Sequence, residues 1–264
     1  MKIRQALPPS IDQQAVLCEV TDRLVASSSD RSLARRDFLR RTLTLGGLSM
    51  LTGCAPVDDA SVETVLMRVS RINDEVQGWL FDPNRLAPTY PDSMITRPFP
   101  FNAFYGEDEV REVDGDSFRL EVTGLVADKR KWTLGDLKVL PQEDQITRHI
   151  CVEGWSAIGK WGGVPFGQFL RRVGADMTAK YVGFKCADDY FTSIDMPTAL
   201  HPQTILALTY DGQTLPAKYG YPMKLRMPTK LGYKNPKHIQ SIFVTNTYPG
   251  GYWEDQGYNW FGGS

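Results

Sequence analysis

Residues 148–156 read Arg148-His149-Ile150-Cys151-Val152-Glu153-Gly154-Trp155-Ser156, and the strand they belong to is the reference for the rest of the chain. Residues 146–152 form a strand, with Cys151 near its end. C-terminal to it, Pro165 opens a helix: Phe166, Phe169, Leu170 and Val173 recur at helical spacing, and Gly174 closes it. Residues 181–187 read as a strand with Val182, Phe184 and Cys186 on one face. Residues 205–210 read as another, followed by the hairpin turn Asp211-Gly212. Residues 223–227 and 239–245 supply two more. N-terminal to it, Phe118-Arg119-Leu120-Glu121-Val122 alternates at period two and ends at Gly124. Thr133 with Asp136 caps a short helix that Pro141 stops. Strands dominate and helices are short, which predicts an α+β, mixed and strand-rich domain. No internal repeat is present.

The first fifty-odd residues have a different character. A basic segment, Arg35-Arg36-Asp37-Phe38-Leu39-Arg40-Arg41, precedes a weakly apolar stretch at residues 43–51 and then Leu51-Thr52-Gly53-Cys54. That order is the pattern of an export signal. The paired arginines resemble the twin-arginine type, and the last four residues resemble a bacterial lipobox whose cysteine takes lipid. The expected organisation is therefore a signal peptide at 1–53, a tether and irregular lead-in at 54–97 with a short helix over 66–80, and a compact domain at 98–264. Cleavage before Cys54 would leave 211 residues with 22 basic against 26 acidic side chains, a net charge of −4. The expected location is periplasmic, with a lipid anchor on a membrane.

The whole chain carries a formal net charge of −1, so no basic excess points to nucleic acid. Gly154-Trp155-Ser156-Ala157-Ile158 lacks the second glycine of a serine-hydrolase elbow. There is no phosphate-binding P-loop and no dinucleotide fingerprint. His149, His201 and His238 lack zinc-ligand spacing, and a lone His149 beside a strand cysteine reads as structural. Asp188-Asp189 reads as a solvated loop. Of four cysteines, Cys18 falls in the leader and Cys54 would carry lipid, which leaves Cys151 and Cys186 in the domain. Two readings stand for them: a disulfide in an oxidising compartment, or Cys151 held as a thiolate by a metal. The aromatic run at residues 248–261 is either a tail packed across the domain or a segment that covers a site or docks a partner.

One constellation points to a family. Cys151-Val152-Glu153-Gly154-Trp155-Ser156 followed by Trp161-Gly162-Gly163-Val164-Pro165-Phe166 resembles the molybdenum-ligand segment of the sulfite oxidase superfamily. Within it the closest resemblance is to the bacterial protein-methionine-sulfoxide reductase catalytic subunits. Leu215-Pro216, Gly220, Pro222, Pro228, Gly232 and Lys237 resemble its pterin-binding tail, and Asn102-Ala103-Phe104-Tyr105 its Asn-x-Phe-Tyr element. The resemblance spans roughly residues 98–247. It implies a sulfite-oxidase-type molybdopterin-binding fold, with a molybdenum–molybdopterin cofactor whose metal is held by Cys151. It also implies that Asn102, Tyr105, Gly106, Cys186, Tyr219, Lys224, Asn235, Pro236 and Lys237 border the cofactor, with Lys237 and the Asn235-Pro236 backbone at its phosphate. Gly106, Cys186, Tyr219 and Lys224 stand where the family has a carboxylate, Thr, Asn and Arg. The last change removes a forked donor.

The implied function is two-electron oxygen-atom transfer, as sulfoxide-type reduction of a small-molecule or protein-bound oxo substrate. Electrons would pass through a separate carrier, a membrane haem protein or a cytochrome, because no haem or iron–sulfur motif is present. Two alternatives are sulfite-type oxidation at the same site and a cofactor-free binding lipoprotein stapled by Cys151–Cys186.

Overall fold

Two sheets, one mixed and one antiparallel, carry the fold; the computed structural model describes residues 59–264. The expected signal at residues 1–53 and the expected lipid site at Cys54 lie outside the described residues. The first sheet has the order β1 (Glu121–Gly124), β9 (Ile239–Thr245), β4 (Tyr181–Cys186), β5 (Phe191–Asp195). Only its β1–β9 pair is parallel; β4 pairs antiparallel with both neighbours. The second has the order β2 (Glu143–Ile150), β3 (Ser156–Pro165), β6 (Ile205–Tyr210), β7 (Gln213–Thr214), with β8 (Lys224–Arg226) paired to β6. All pairs in this sheet are antiparallel.

Most expected elements form where their residues predict. Helix α2 (Leu134–Lys138) starts on a reciprocal capping box: Thr133 Oγ1 accepts from the Asp136 N–H and the Asp136 carboxylate from the Thr133 N–H. Helix α3 (Phe166–Arg172) buries Phe166, Phe169 and Leu170, and each such side chain contributes roughly 1.5–3 kcal/mol of transfer free energy. Helix α4 (Met196–Leu200) is capped by the Asp195 carboxylate, which accepts from the Thr198 N–H. These helices and both sheets enclose the main core. A smaller core of Phe99, Ala157, Trp161, Ile205, Ala207, Leu215 and Tyr219 forms a second apolar cluster beside β3 and β6.

Two differences from the expectation matter. Strand β3 has no alternating signature, because Gly159, Gly162 and Gly163 interrupt it and most of its side chains are buried on both faces. The lead-in expected at 54–97 is also bonded to the folded body: residues 60–97 fall in the same compact unit as the rest of the domain. Helix α1 (Asp59–Leu80) begins earlier than its apolar residues suggest. Its Asp74 carboxylate accepts from the Asn259 side chain at 2.6 Å and the Phe261 N–H at 2.8 Å. Beyond it, the Ala87 N–H donates to Gln203 at 2.8 Å and the Tyr90 N–H to the Ile146 carbonyl at 3.0 Å. Residues 60–264 thus make one compact unit.

Candidate functional site

Strands β2 and β3 form a hairpin whose loop is residues 151–155. The Cys151 N–H donates to the Trp155 carbonyl at 2.9 Å and the Gly154 N–H to the Cys151 carbonyl at 3.1 Å. The turn needs φ +95° at residue 154, which glycine adopts without penalty. The closed loop sets a buried Cys151 on the wall of a cleft of about 680 Å³, open mouth included. Asn102 Nδ2 donates to Cys151 Sγ at 3.2 Å, and Sγ lies 3.6 Å from Glu153 Oε2. That carboxylate oxygen also accepts from Trp155 Nε1 at 2.9 Å. Burial, with Glu153 adding to it, raises the thiol's pKa. A thiol held this way stays protonated until a soft metal displaces the proton.

The far wall comes from the β8–β9 connection, where Gly232, Asn235, Pro236 and Lys237 line the cleft. Asn235 spends its amide on the loop itself: Oδ1 accepts from the Met227 N–H at 2.7 Å and Nδ2 donates to the Leu231 carbonyl at 2.9 Å. Phe104, Asp188, Tyr190, Trp253 and Tyr258 complete the lining. The aromatic tail therefore both packs across the domain and covers the site. Asp188, which reads as solvated in the sequence, accepts from the Tyr105 hydroxyl at 3.0 Å, and Tyr105 packs against Phe104.

Behind this wall lies a buried group of cations. Lys224 is buried with its Nζ 4.9 Å from the Trp161 ring centre, and among the described residues that Nζ has no hydrogen bond or ion pair. Arg226 donates to the Met227 and Arg148 carbonyls at 2.9 and 2.6 Å and to Thr147 Oγ1 at 3.1 Å, while its Nε has no partner. Lys237 Nζ donates to the Lys218 carbonyl at 3.2 Å. None of the three is ion-paired with a carboxylate among the described residues; Asp188 acts on Lys237 only at longer range. Burial drives their pKa values down, to about 9 for Arg226 and about 8 for Lys237, and well below the ordinary range for Lys224.

His149 joins this group. Its ring is buried and both nitrogens lack partners. Burial and then Lys224, Arg226 and Lys237 lower its pKa well below the ordinary value, so it stands as a neutral imidazole. Position 232 accepts only glycine, because a Cβ there would meet His149 Nε2 at 2.8 Å and Asn102 Nδ2 at 3.4 Å. Local sequence context makes His149 look structural; only the fold brings it beside Lys224 and Arg226. Arg226 and Glu153 are likewise absent from the set expected to border the cofactor, although Glu153 sits within the motif itself.

The other expected positions fall in three places. Asn102, Cys151, Asn235, Pro236 and Lys237 line the cleft, and Lys224 lies among the cations behind it. Cys186 is a core residue on β4, buried but close enough to Lys237 and Asp188 for their charges to act on it. Gly106 and Tyr219 do not line the cleft. Gly106 is exposed and heads a 3-10 turn, its N–H bonded to Glu109. Tyr219 packs in the smaller core and donates its hydroxyl to the Phe99 carbonyl at 2.8 Å. Cys151 and Cys186 are both free thiols, so the disulfide staple is not formed.

Unpartnered donors and unpaired cations buried beside a cleft define a site for a polyanionic group, since such groups are costly without a counter-charge. A thiol on the same wall adds a soft metal ligand. This is the donor set of a metal–pterin redox protein. A family model described as the oxidoreductase molybdopterin binding domain matches residues 107–253, and the chain belongs to that family of oxidoreductase enzymes. A putative protein-methionine-sulfoxide reductase subunit YedZ1 of Azospira oryzae is 78% identical over 231 residues, 88% of each chain. The protein-methionine-sulfoxide reductase catalytic subunit MsrP of Ralstonia nicotianae is 32% identical over 161 residues, 55% of this chain and 49% of its own. The chain thus spans about half the length of that relative. The sulfane dehydrogenase SoxCD of Paracoccus pantotrophus has 20% identity and a TM-score of 0.49, over 52% of this chain and 40% of its own.

Proposed function

We propose that this chain is the catalytic subunit of an exported molybdenum enzyme that reduces sulfoxides, with methionine sulfoxide as the substrate class. The observation that carries the reading is the pairing of one cleft-facing thiol, Cys151, with three buried cations that lack acids. The sulfoxide-reductase names of the relatives supply the direction. Cys151 would hold the molybdenum, and Lys224, Arg226 and Lys237 would hold the pterin's phosphate. When bound, that group supplies a two-electron centre that moves an oxygen atom.

The chain's own residues orient and seal the site. Asn102 fixes the sulfur's direction through its 3.2 Å bond, so the ligand need not search rotamers. Glu153, held by Trp155 Nε1, keeps a carboxylate 3.6 Å from the sulfur. It is the acceptor beside the thiol, placed to take the thiol proton when a soft metal would bind the sulfur. Trp253 and Tyr258 put aromatic surface on the cleft lining, which would limit water around a bound group. Electrons would come from a separate carrier, a membrane haem protein or cytochrome. Twin-arginine export and lipidation of Cys54 complete the reading, and both rest on sequence pattern.

Metal analysis of protein purified from its exporting host tests it. About one molybdenum per chain is expected, and Cys151→Ala should lose both metal and sulfoxide reduction. Retention of either by Cys151→Ala would remove Cys151 from its role. Sulfite oxidation without sulfoxide reduction by the loaded wild type would reverse the direction.

A further inference from the structure

Helix α1 turns its polar side to its own domain and its apolar side away. Ser70, Asp74 and Gln77 are the half-buried positions of the described part of the helix. They face the chain's end, where Asp74 bonds Asn259 and Phe261, and Gln77 accepts from the Gly263 N–H at 3.4 Å. The opposite face carries Val65, Val69, Ile72, Val76, Trp79 and Leu80, with Leu66 at its edge, all exposed and Trp79 at 82%. At 100° per residue, Val65, Val69, Ile72, Val76, Trp79 and Leu80 fall in an arc of roughly 100° turned away from Asp74. A contiguous apolar face of this length is a binding surface.

We propose that this face of α1 lies in the headgroup boundary of a lipid bilayer and holds the domain against the membrane. Four features favour a bilayer over a second helix. The arc is wider than the seam of a two-helix coiled coil, and Leu66 and Leu80 occupy flanks where such a seam carries charge. Trp79 lies at one end, the placement of an interfacial anchor. Arg68 borders the arc with an exposed stem that reaches headgroups. The helix also begins five residues after Cys54, about 18 Å of extended chain at most. An acyl group there, which rests on the lipidation reading above, would bring α1 to the surface. One chain gives only marginal binding, so a buried helix face is the second signal that makes it stable. Asp74 and Glu75 offset Arg68 and Arg71, so the attachment is apolar and does not require anionic lipid.

The test places the processed protein from its host on phosphatidylcholine vesicles that contain brominated phosphatidylcholine. The wild type is compared with Trp79→Phe, whose difference isolates one indole, and with Val69→Ser/Ile72→Ser/Val76→Ser. The Trp79 signal should fall roughly twofold with brominated lipid, and the triple variant should lose that quenching. If the protein floats with vesicles while Trp79 is quenched only by aqueous iodide, the acyl anchor stands and the helix proposal fails. If Trp79 is shielded from both quenchers and the triple variant halves the sedimenting mass, the face is a dimer seam and the bilayer proposal is overturned. The mass of the Cys54 peptide reads lipidation separately from either result.

Discussion

Residues 224–237 bury two sets of cations and treat them oppositely. Lys224, Arg226 and Lys237 lie beside the Cys151 cleft without an ion-paired acid. Lys230 and Lys234, a few residues away, are equally buried but have acids and carbonyls around them. Lys234 pairs with the buried Glu254 and donates to the Ser193 carbonyl at 2.6 Å. Lys230 donates to the Phe261 carbonyl at 2.9 Å and lies 3.9 Å from Asp195. The paired set fastens the C-terminal tail to the domain. The unpaired set has carbonyl, amide and hydroxyl partners at Arg226 and Lys237 but no ion-paired carboxylate to offset its desolvation, so its charge is kept for a ligand.

This contrast gives opposite signs for similar substitutions. Glu254→Ala leaves Lys234 as a lone buried charge and should destabilise the protein by about 3–5 kcal/mol, read by urea unfolding. Lys224→Met should do the reverse in cofactor-free protein, raising stability by about 2 kcal/mol, because it removes an uncompensated cation. The same Lys224→Met protein should retain pterin roughly tenfold less well, read by fluorescence of the oxidised pterin. If Lys224→Met destabilised the cofactor-free protein as Glu254→Ala does, the two sets would not differ in kind.

How much of this was legible in the sequence follows from where each residue's neighbours come from. Cys151, Asn102 and Lys237 each sit in a short motif that carries its own signature, and the structure brings all three to one cleft. His149 and Arg226 have no such signature. Their meaning arises from β2 and β8 meeting in space, with Arg226 bonded to Thr147 across 79 positions. Tyr219 and Gly106 show the converse: motif spacing fixes where a backbone passes, but the side-chain direction depends on packing, and Phe99 takes the Tyr219 hydroxyl. Strand β3 lacked a period because its glycines carry no side chains to alternate. Helix α1 was legible as a helix, while its attachment to the domain was not, because the polar residues Asp74 and Gln77 make it.

The pH dependence of cofactor-free protein sharpens the contrast on a smaller scale. Burial lowers Lys237 to about 8, below the ordinary lysine value near 10.5. Between these two values the unfolded chain binds more protons than the folded one, so stability rises as pH increases through the window. Below about 8 both states are charged and the full penalty of burial applies. The rise is at most about 1.4 kcal/mol per pH unit for one group. Lys237→Met should make the urea-unfolding profile less steep between pH 8 and 10, leaving the slope contributed by the other buried lysines. A profile left unchanged would mean that Lys237 is not a buried cation without compensation.

Thr192→Val probes the paired set at its weakest point. The Thr192 hydroxyl donates to Glu254 Oε1 at 2.6 Å, the same oxygen that receives Lys234. Its loss keeps volume and leaves the ion pair intact, so the cost should be about 1–2 kcal/mol, in the range of one hydrogen bond to a charged group. The second oxygen of Glu254 is buried without a partner, so nothing nearby stands ready to compensate. Because Thr192 lies outside the cleft, pterin content should stay at the wild-type level. A fall in pterin content alongside stability would show that the tail fastened by Glu254 controls the cleft through Trp253 and Tyr258, and the two cation sets would then be coupled.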